Sequence, residues 1–154
     1  FESFGSVCSG GRYDALATDG RTTYPGVGIS LGLTRLMAAL VGRGLVSASR
    51  SVPACVLVAV TDEAGRARSE DVAGQLRARG ISTEVAPKAD KFGKQIRYAD
   101  RRGIPFVWFL DDAGGSVKDI RSGDQVAADP ATWTPPEEDL RPTVRLTTTE
   151  ENHP

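Results

Sequence analysis

Between residues 53 and 121, short apolar runs typical of buried strands alternate with longer stretches of helical periodicity. Gly80 and Gly103 directly follow the two clearest helical stretches, as glycines that end helices do. Strands that alternate with helices favour a mostly parallel sheet covered by helices, so the pattern predicts an α/β domain over residues 53–133. The predicted elements are strand 53–60, helix 64–79, strand Ser82–Val85, helix Lys91–Arg102, strand Pro105–Asp111, a weaker strand or hairpin Ser116–Arg121, and a short helix near Asp124–Thr132.

The two ends of the chain differ in charge from this central domain. Residues 1–50 carry five Arg against three acidic residues, whereas residues 134–154 carry two basic against five acidic residues. The acidic end is also rich in proline and poor in large apolar groups, which predicts a disordered tail over residues 134–154. Small side chains over residues 47–52 indicate a linker. Because the sequence starts at Phe1 with a strand-like segment that has no partner in sequence, we expect a piece of a longer protein.

Residue counts exclude several kinds of chemistry. The sequence holds two cysteines, Cys8 and Cys55, and one histidine, His153, beside the C-terminus. A disulfide framework, a Cys/His zinc site and catalysis by an internal imidazole are therefore excluded, and no metal ligands are predicted. No run of eighteen apolar residues occurs, so no membrane insertion is indicated and we expect a cytoplasmic protein.

A glycine-rich segment, PGVGISLGLTRL at residues 25–36, predicts a strand that runs directly into a helix. Gly26, Gly28 and Gly32 remove side chains along one face, so a flat ring or a phosphate can approach the backbone. Arg35, on the first helical turn, offers a charge-assisted grip on a phosphate oxygen. An ordinary glycine-tolerant strand with a solvated arginine is the alternative, and the segment alone does not decide between them.

A second glycine cluster, SVCSGGRYD at residues 6–14, precedes that strand. Gly10 and Gly11 permit close approach to the backbone, and the Arg-Tyr-Asp run that follows supplies a donor, a ring and an acceptor. Such a set suits a small polar ligand. A β-turn with exposed polar residues is the alternative.

In this order and spacing, the two segments resemble the end of the catalytic domain of histidyl-tRNA synthetases, a family of class II aminoacyl-tRNA synthetases. The run Cys8–Asp14 is similar to the family's CGGGRYD strand, and Gly26–Arg35 is similar to class II motif 3. The resemblance implies that residues 1–46 are a remnant of the antiparallel catalytic domain and that Arg35 is a catalytic residue. It implies an ATP site at Gly28, Gly32 and Arg35 and a histidine pocket at Gly10, Gly11 and Tyr13.

The α/β domain extends the resemblance, because VLVAV, LRARGIS, KFGKQIRYADRRGIPFVWFLDD and VKDIRSGDQ look like the anticodon-binding domain of the same family. The family implies a homodimeric ligase that uses ATP and Mg²⁺ to join histidine to its tRNA through histidyl-adenylate. Thr34 stands where the family usually has glutamate, and Ser9 where it has glycine. Class II motifs 1 and 2 would lie before Phe1, so we expect this piece to be inactive alone and to hold no tightly bound cofactor. A non-catalytic, synthetase-like RNA-binding or regulatory protein is the alternative.

The helix Lys91–Arg102 is the strongest candidate for contact with tRNA. Residues 88–102 hold six basic and two acidic side chains, and basic groups with a tyrosine among them suit phosphate contacts and stacking on an unpaired base. A solvated amphipathic face is the alternative. The candidates on this helix are Lys91, Lys94, Tyr98 and Arg101, opposite the apolar Phe92, Ile96 and Ala99. Lys118 and Arg121 are weaker candidates that can equally belong to a polar turn.

Overall fold

The computed structural model describes residues 5–111 and 114–147, which divide into two compact units. The first unit comprises the residues up to Ser47 with those from Arg145 onward, and the second comprises Ala48–Val144. No helix in the described ranges is long and apolar enough to cross a membrane. In chain order the elements are β1 (Cys8–Thr18), β2 (Thr23–Leu31), α1 (Leu33–Gly42), β3 (Val46–Ala48), β4 (Val56–Val58), α2 (Arg66–Ala78), β5 (Thr83–Val85), α3 (Phe92–Arg102), β6 (Phe106–Asp111), β7 (Gly114–Asp119), β8 (Gln125–Ala127), α4 (Glu137–Leu140) and β9 (Val144–Leu146).

An antiparallel hairpin of β1 and β2, followed by α1, makes up most of the first unit. Strand β2 ends at Leu31 and α1 begins at Leu33, so the prediction of a strand running directly into a helix is confirmed. Asp19 closes the hairpin, because its Oδ1 accepts a hydrogen bond from the backbone N–H of Arg21 at 2.9 Å. Gly20, with φ 88°, supplies the positive φ that this tight turn uses.

The second unit is built on a five-stranded sheet with the order β5-β4-β6-β7-β8. Strand β4 pairs in parallel with β5 and β6, whereas β6, β7 and β8 are joined by antiparallel pairings. The predicted α/β class is confirmed, and the sheet is mixed. The parallel strands need the helical crossovers α2 and α3, whereas short turns suffice to return β7 and β8.

Helices α2 and α3 cover opposite faces of this sheet. Val56 and Val58 of β4 pack in one apolar cluster with Leu76 of α2, whereas Leu57 packs in a second cluster with Ala99 of α3. A strand that is buried on both faces needs an unbroken apolar run, which the sequence provides here. The topology requires the same arrangement. The steps from β4 to β5 and from β5 to β6 run in opposite directions, so two right-handed crossovers place their helices on opposite faces.

The region after β7 differs from the sequence prediction. The predicted helix near Asp124–Thr132 is wrong, because Gln125–Ala127 form β8 and pair with β7. Gln125 lies opposite Lys118 in this pairing, and its side-chain amide donates to the Ser116 hydroxyl at 2.9 Å. Tertiary pairing therefore overrides a weak local helical pattern.

The predicted disordered tail is wrong for residues 134–147, which include α4 and β9; the rest of the tail lies outside the described residues. Just before α4, the Trp133 ring packs edge-on against Phe106 and Trp108, with ring centroids 5.4 and 5.7 Å apart. Leu140 of α4 packs against the same core cluster. The composition of the tail did not predict this ordered structure, because the burial of only two large apolar side chains, Trp133 and Leu140, holds the segment against the core.

We call residues 129–143 the C-terminal strap. Two arginines bind its backbone. Arg79, at the end of α2, donates to the carbonyl oxygens of Pro130 at 2.8 Å and Trp133 at 2.6 Å. Arg50 donates from Nη1 to the carbonyl oxygen of Asp139 at 2.8 Å. Arg50 lies in the predicted 47–52 linker, so most of that linker is packed into the second unit.

Candidate ligand and nucleic-acid sites

One face of the β1–β2 hairpin, which we call the bare face, consists mainly of glycine and serine. Residues that lie opposite each other in an antiparallel pair point to the same face. The pairs on this face are Ser9–Ser30, Gly11–Gly28 and Tyr13–Gly26. The Tyr13 ring lies over Gly28, since a Cβ on Gly28 would be 3.1 Å from the Tyr13 Cε2 atom. A Cβ on Gly26 would likewise be only 2.5 Å from Leu16 Cδ2. The glycines therefore share one face as the spacing predicts, but the Tyr13 and Leu16 side chains lie over part of it.

Gly10 differs from Gly11 although the two are neighbours. Gly10 lies opposite Ile29, and a Cβ there would meet the carbonyl oxygen of Gly28 at 2.5 Å. Gly11 has nothing within 4 Å of an added Cβ. The three residues predicted for a histidine pocket, Gly10, Gly11 and Tyr13, nevertheless line one cavity. Gly10 is in addition needed for the close approach of the two strands.

Arg35 lies at the end of the hairpin where α1 begins. Its Nη1 donates to the carbonyl oxygen of Ser6, and its side chain lines a cleft together with Ser9 and Ser30 of the bare face. Gly32 brings the helix close to β1, because its N–H donates to the carbonyl oxygen of Val7 at 2.7 Å. The structure thus brings Arg35 and Gly32 beside the bare face, whose centre is at Gly28. Thr34, the departure from the family motif, lines the same cleft.

The other face of the hairpin is apolar and exposed. Val27, Ile29 and Leu31 alternate along β2 on this face and are 82, 81 and 62% exposed. Arg12, on β1, forms an exposed ion pair with Asp14, in which Nε and Oδ1 are 2.7 Å apart. The Arg12 guanidinium is therefore bound by a residue of its own strand. Three neighbouring apolar side chains at such exposure are unusual for a surface that faces only water.

In the second unit, α3 brings together three of its four residues that we predicted to bind tRNA. Lys94, Tyr98 and Arg101 line one cavity, which we call the α3 cavity, with Lys88 and the buried Ala86. Lys91 lies at the N-cap of α3, exposed, and is not among the lining residues. The spacing of the lining residues along the helix is the reason they share a face.

Tyr98 is held in place by two neighbouring charged groups. Its hydroxyl donates to Glu84 Oε1 on β5 at 2.5 Å, and the Arg102 guanidinium lies 5.2 Å from the ring centroid. The hydrogen bond to Glu84 is the main cause that raises the pKa of Tyr98. The phenol therefore stays protonated and remains a donor to Glu84 across the physiological pH range.

Asp90 and Lys94 form a second fixed pair at the rim of the cavity. Lys94 Nζ lies 3.1 Å from Asp90 Oδ2, and the backbone N–H of Lys91 donates to Asp90 Oδ1 at 2.8 Å. The Lys91 amide, followed by the Lys94 ammonium, lowers the pKa of Asp90. Asp90 is thus ionised and directs Lys94 to the rim.

Gln95 is a residue whose role our sequence analysis missed. Its Oε1 accepts from the N–H of Val60 at 2.9 Å, and its Nε2 donates to the carbonyl oxygen of Val60 at 2.8 Å. The side chain is 4% exposed, so this pair of hydrogen bonds fixes α3 to the end of β4. The signal was present: Gln95 lies three residues after Phe92 and four before Ala99, so a polar amide occupies the apolar stripe of the helix.

Lys118 and Arg121, the two weaker candidates, are engaged elsewhere. Lys118 Nζ donates to the carbonyl oxygen of Gly123 at 2.6 Å. Arg121 binds the carboxylates of Asp119 and Asp139 at 2.7–2.8 Å, and these partners, Asp119 first, raise the pKa of Arg121. Neither residue lines the α3 cavity. Among residues 5–111 and 114–147, no group of three or more His, Cys, Asp or Glu side chains is placed to hold a metal ion.

Comparisons with known proteins show which proteins this chain is similar to. A family model described as "Anticodon binding domain" matches residues 54–128, which confirms the predicted anticodon-binding domain. Histidine–tRNA ligase of Cutibacterium acnes is 66% identical over 150 residues, 93% of this chain and 33% of the relative. That of Micrococcus luteus is 60% identical over 148 residues, 93% of this chain and 32% of the relative.

A solved structure gives the same result. The histidyl-tRNA synthetase from Nostoc sp. PCC 7120 matches with a TM-score of 0.53 and 36% identity, over 84% of this chain and 33% of that chain. This chain therefore spans about a third of the length of the relatives that it matches.

Proposed function

Because this chain is homologous to histidine–tRNA ligases over nearly all of its length, we propose that it is part of an ATP-dependent histidine–tRNA ligase. The observation that carries the proposal is the 66% identity over 93% of the chain, which includes both the bare hairpin with Arg35 and the anticodon-binding domain. In this proposal the second unit binds the anticodon stem and loop of tRNA. The first unit contributes to the site that activates histidine.

The charge distribution of α3 supports tRNA as the partner of the second unit. Six basic side chains against two acidic ones lie between residues 88 and 102, in a chain whose net charge is -1. Phosphates of a tRNA loop are attracted to such a local excess of positive charge, and binding of this kind weakens as salt is added. Lys91, Lys94, Tyr98 and Arg101 are the residues we assign to this contact, with Lys118 and Arg121 as minor contributors.

The hairpin supports a role in adenylate formation. When histidine is activated, its carboxylate oxygen attacks the α-phosphorus of ATP, the bond to the β-phosphate breaks and pyrophosphate leaves. Arg35, held at the cleft by the Ser6 carbonyl, would stabilise the negative charge on the phosphates. Gly32 gives the nucleotide room at the Arg35 end of the bare face, next to Gly28. The Tyr13 ring, which lies over Gly28, would border the amino acid together with Gly10 and Gly11. Mg²⁺ is implied by ATP chemistry, but the described residues include no cluster that could hold it, so no step is assigned to it.

One arginine is not enough to catalyse this reaction, so we propose that the chain alone is inactive. A pentavalent phosphorus needs charge stabilisation from several directions. The exposed apolar face of Val27, Ile29 and Leu31 supports the same proposal, because the rest of the ligase would cover it.

A chimera tests the catalytic proposal. This chain would replace the aligned 150 residues of the Cutibacterium acnes ligase, and histidine-dependent exchange of pyrophosphate into ATP would be measured. We expect exchange in the chimera and a loss of about 100-fold or more in Arg35→Ala. Arg21→Ala, in the hairpin turn away from the cleft, is the matched control and should keep the activity. Exchange by Arg35→Ala at the chimera's rate would refute the role of Arg35.

Thr34 favours a second candidate, a non-catalytic, synthetase-like RNA-binding or regulatory protein. This residue lines the Arg35 cleft where the family usually places a carboxylate. This candidate predicts that the chimera lacks pyrophosphate exchange and that Thr34→Glu restores the exchange. If the 154-residue chain also binds tRNA, these results would support this candidate over the ligase.

A further inference from the structure

The α3 cavity combines an aromatic wall with a positively charged rim. Tyr98 forms the wall next to the buried Ala86, and Lys88, Lys94 and Arg101 lie around the opening. The cavity volume is about 230 Å³. Pockets for drug-sized ligands are about 300–1,000 Å³, so this one suits a group of about the size of a single nucleobase.

The Tyr98 ring is prepared for stacking before any ligand binds. Its hydroxyl is fixed by Glu84, and the Arg102 guanidinium lies over the ring. Arg102 does not itself line the cavity. The ring therefore loses little freedom when a flat group stacks on it, which favours binding.

The cations at the rim differ in what holds them. Lys94 is directed by Asp90, with 61% of its side chain exposed, whereas Lys88 and Arg101 make no hydrogen bond or ion pair within the described ranges. Asp90 is the one carboxylate among the lining residues, so three positive charges face one negative charge. Such an excess suits a phosphate next to the stacked group.

We propose that the α3 cavity is a subsite for one unpaired nucleotide of an RNA loop, with its base stacked on Tyr98 and its phosphate between Lys94 and Arg101. This inference rests on the proposed tRNA-binding function and makes it specific. An RNA loop fits better than a free nucleotide, because the exposed Lys91, at the N-cap of α3, continues the positive charge beyond the cavity, as a polynucleotide backbone requires.

Fluorescence of 2-aminopurine tests the subsite. The full 154-residue chain would be titrated with stem-loop RNAs that carry the anticodon arm of a histidine tRNA and 2-aminopurine at one loop position at a time. We expect quenching on binding at one loop position only. Tyr98→Ala should abolish this quenching and weaken binding about 5- to 150-fold, the range for loss of one stacked base. Tyr98→Phe keeps the ring and should keep the quenching.

Arg97→Ala is the matched control, because Arg97 is exposed on the same helix but does not line the cavity. It should leave the quenching intact. Equal effects of Tyr98→Ala and Arg97→Ala in correctly folded proteins, judged by unchanged melting temperatures, would overturn the subsite while tRNA binding stands. Quenching of free 2-aminopurine riboside monophosphate as strong as that of the loop would also overturn it. Failure of the wild-type chain to bind any stem-loop would instead overturn the proposed function.

Discussion

Arg121 and Asp139 form a two-pronged ion pair, in which the Nη1–Oδ1 and Nη2–Oδ2 distances are both 2.8 Å. Arg121 follows β7, and Asp139 belongs to α4, so the pair ties the C-terminal strap to the sheet. Arg121 also binds Asp119 and lies 5.2 Å from the centroid of the Phe106 ring. With these partners, Arg121 has a structural role in the second unit, in addition to any contact that it makes with RNA.

Removal of this arginine should loosen the strap. Arg121→Ala leaves the carboxylate of Asp139, whose side chain is 11% exposed, without its charged partner. We expect the free energy of unfolding to fall by about 1–3 kcal/mol, near the low end because half of the Arg121 side chain is exposed. Urea unfolding followed by tryptophan fluorescence measures the change. Arg141→Ala, exposed in the same strap, should change stability by about 0.5 kcal/mol or less, and an equal loss in both variants would contradict the assigned role.

Much of the second unit could be predicted from the sequence because its signals are local. The apolar run of β4, the helical stripe of α3 and the glycines after the helices all act within a few residues. Gly103, with φ 72°, ends α3 at the predicted place. Prediction failed where distant partners decide: β8 forms because β7 lies beside it, and the strap is ordered because Trp133 reaches Phe106.

In the candidate sites, too, local features could be predicted from the sequence and contacts between distant residues could not. Helical spacing correctly grouped Lys94, Tyr98 and Arg101, which meet at one cavity. It could not show that Tyr98 is held by Glu84 from another strand. Nor could it show that Arg121 is occupied by Asp139, since the tail was expected to be disordered and so to offer no partner.

The two neighbouring glycines of β1 should respond differently to alanine. Gly10→Ala places a Cβ 2.5 Å from the carbonyl oxygen of Gly28, so the strands must separate, at a cost of about 1–3 kcal/mol. Gly11→Ala meets nothing within 4 Å and should leave the hairpin intact. Hydrogen exchange of the β2 amides measures the difference. Unchanged protection of these amides in Gly10→Ala would show that the close approach is not required.

Acid should reveal the contribution of Glu63 to stability. Its carboxylate accepts from Arg66 Nε at 2.6 Å and from the Ala89 N–H at 2.8 Å, and these partners, Arg66 first, lower the pKa of Glu63 from 4.5 to about 2. Because the folded state favours the ionised form, this stabilisation is complete above pH 4.5 and is lost as the pH falls towards 2. Glu63→Gln and Arg66→Met should both flatten the pH dependence of the unfolding free energy in that window. A wild-type slope in Glu63→Gln would rule out this contribution.

Charge reversal on α3 should weaken RNA binding in a salt-dependent way. Replacement of Lys91, Lys94 and Arg101 by glutamate removes their interactions with phosphates, and each phosphate that is no longer neutralised should reduce the slope of log K against log salt by about 0.7 for single-stranded RNA. Binding of the anticodon stem-loop would be measured at several salt concentrations. The control reverses Arg21, Arg141 and Arg145, three exposed arginines that do not line the α3 cavity, so the net charge changes equally. If only net charge matters, the affinity should decrease equally in the two triple variants. A binding site on α3 requires a larger decrease in affinity and a shallower salt slope in the α3 triple variant than in the control.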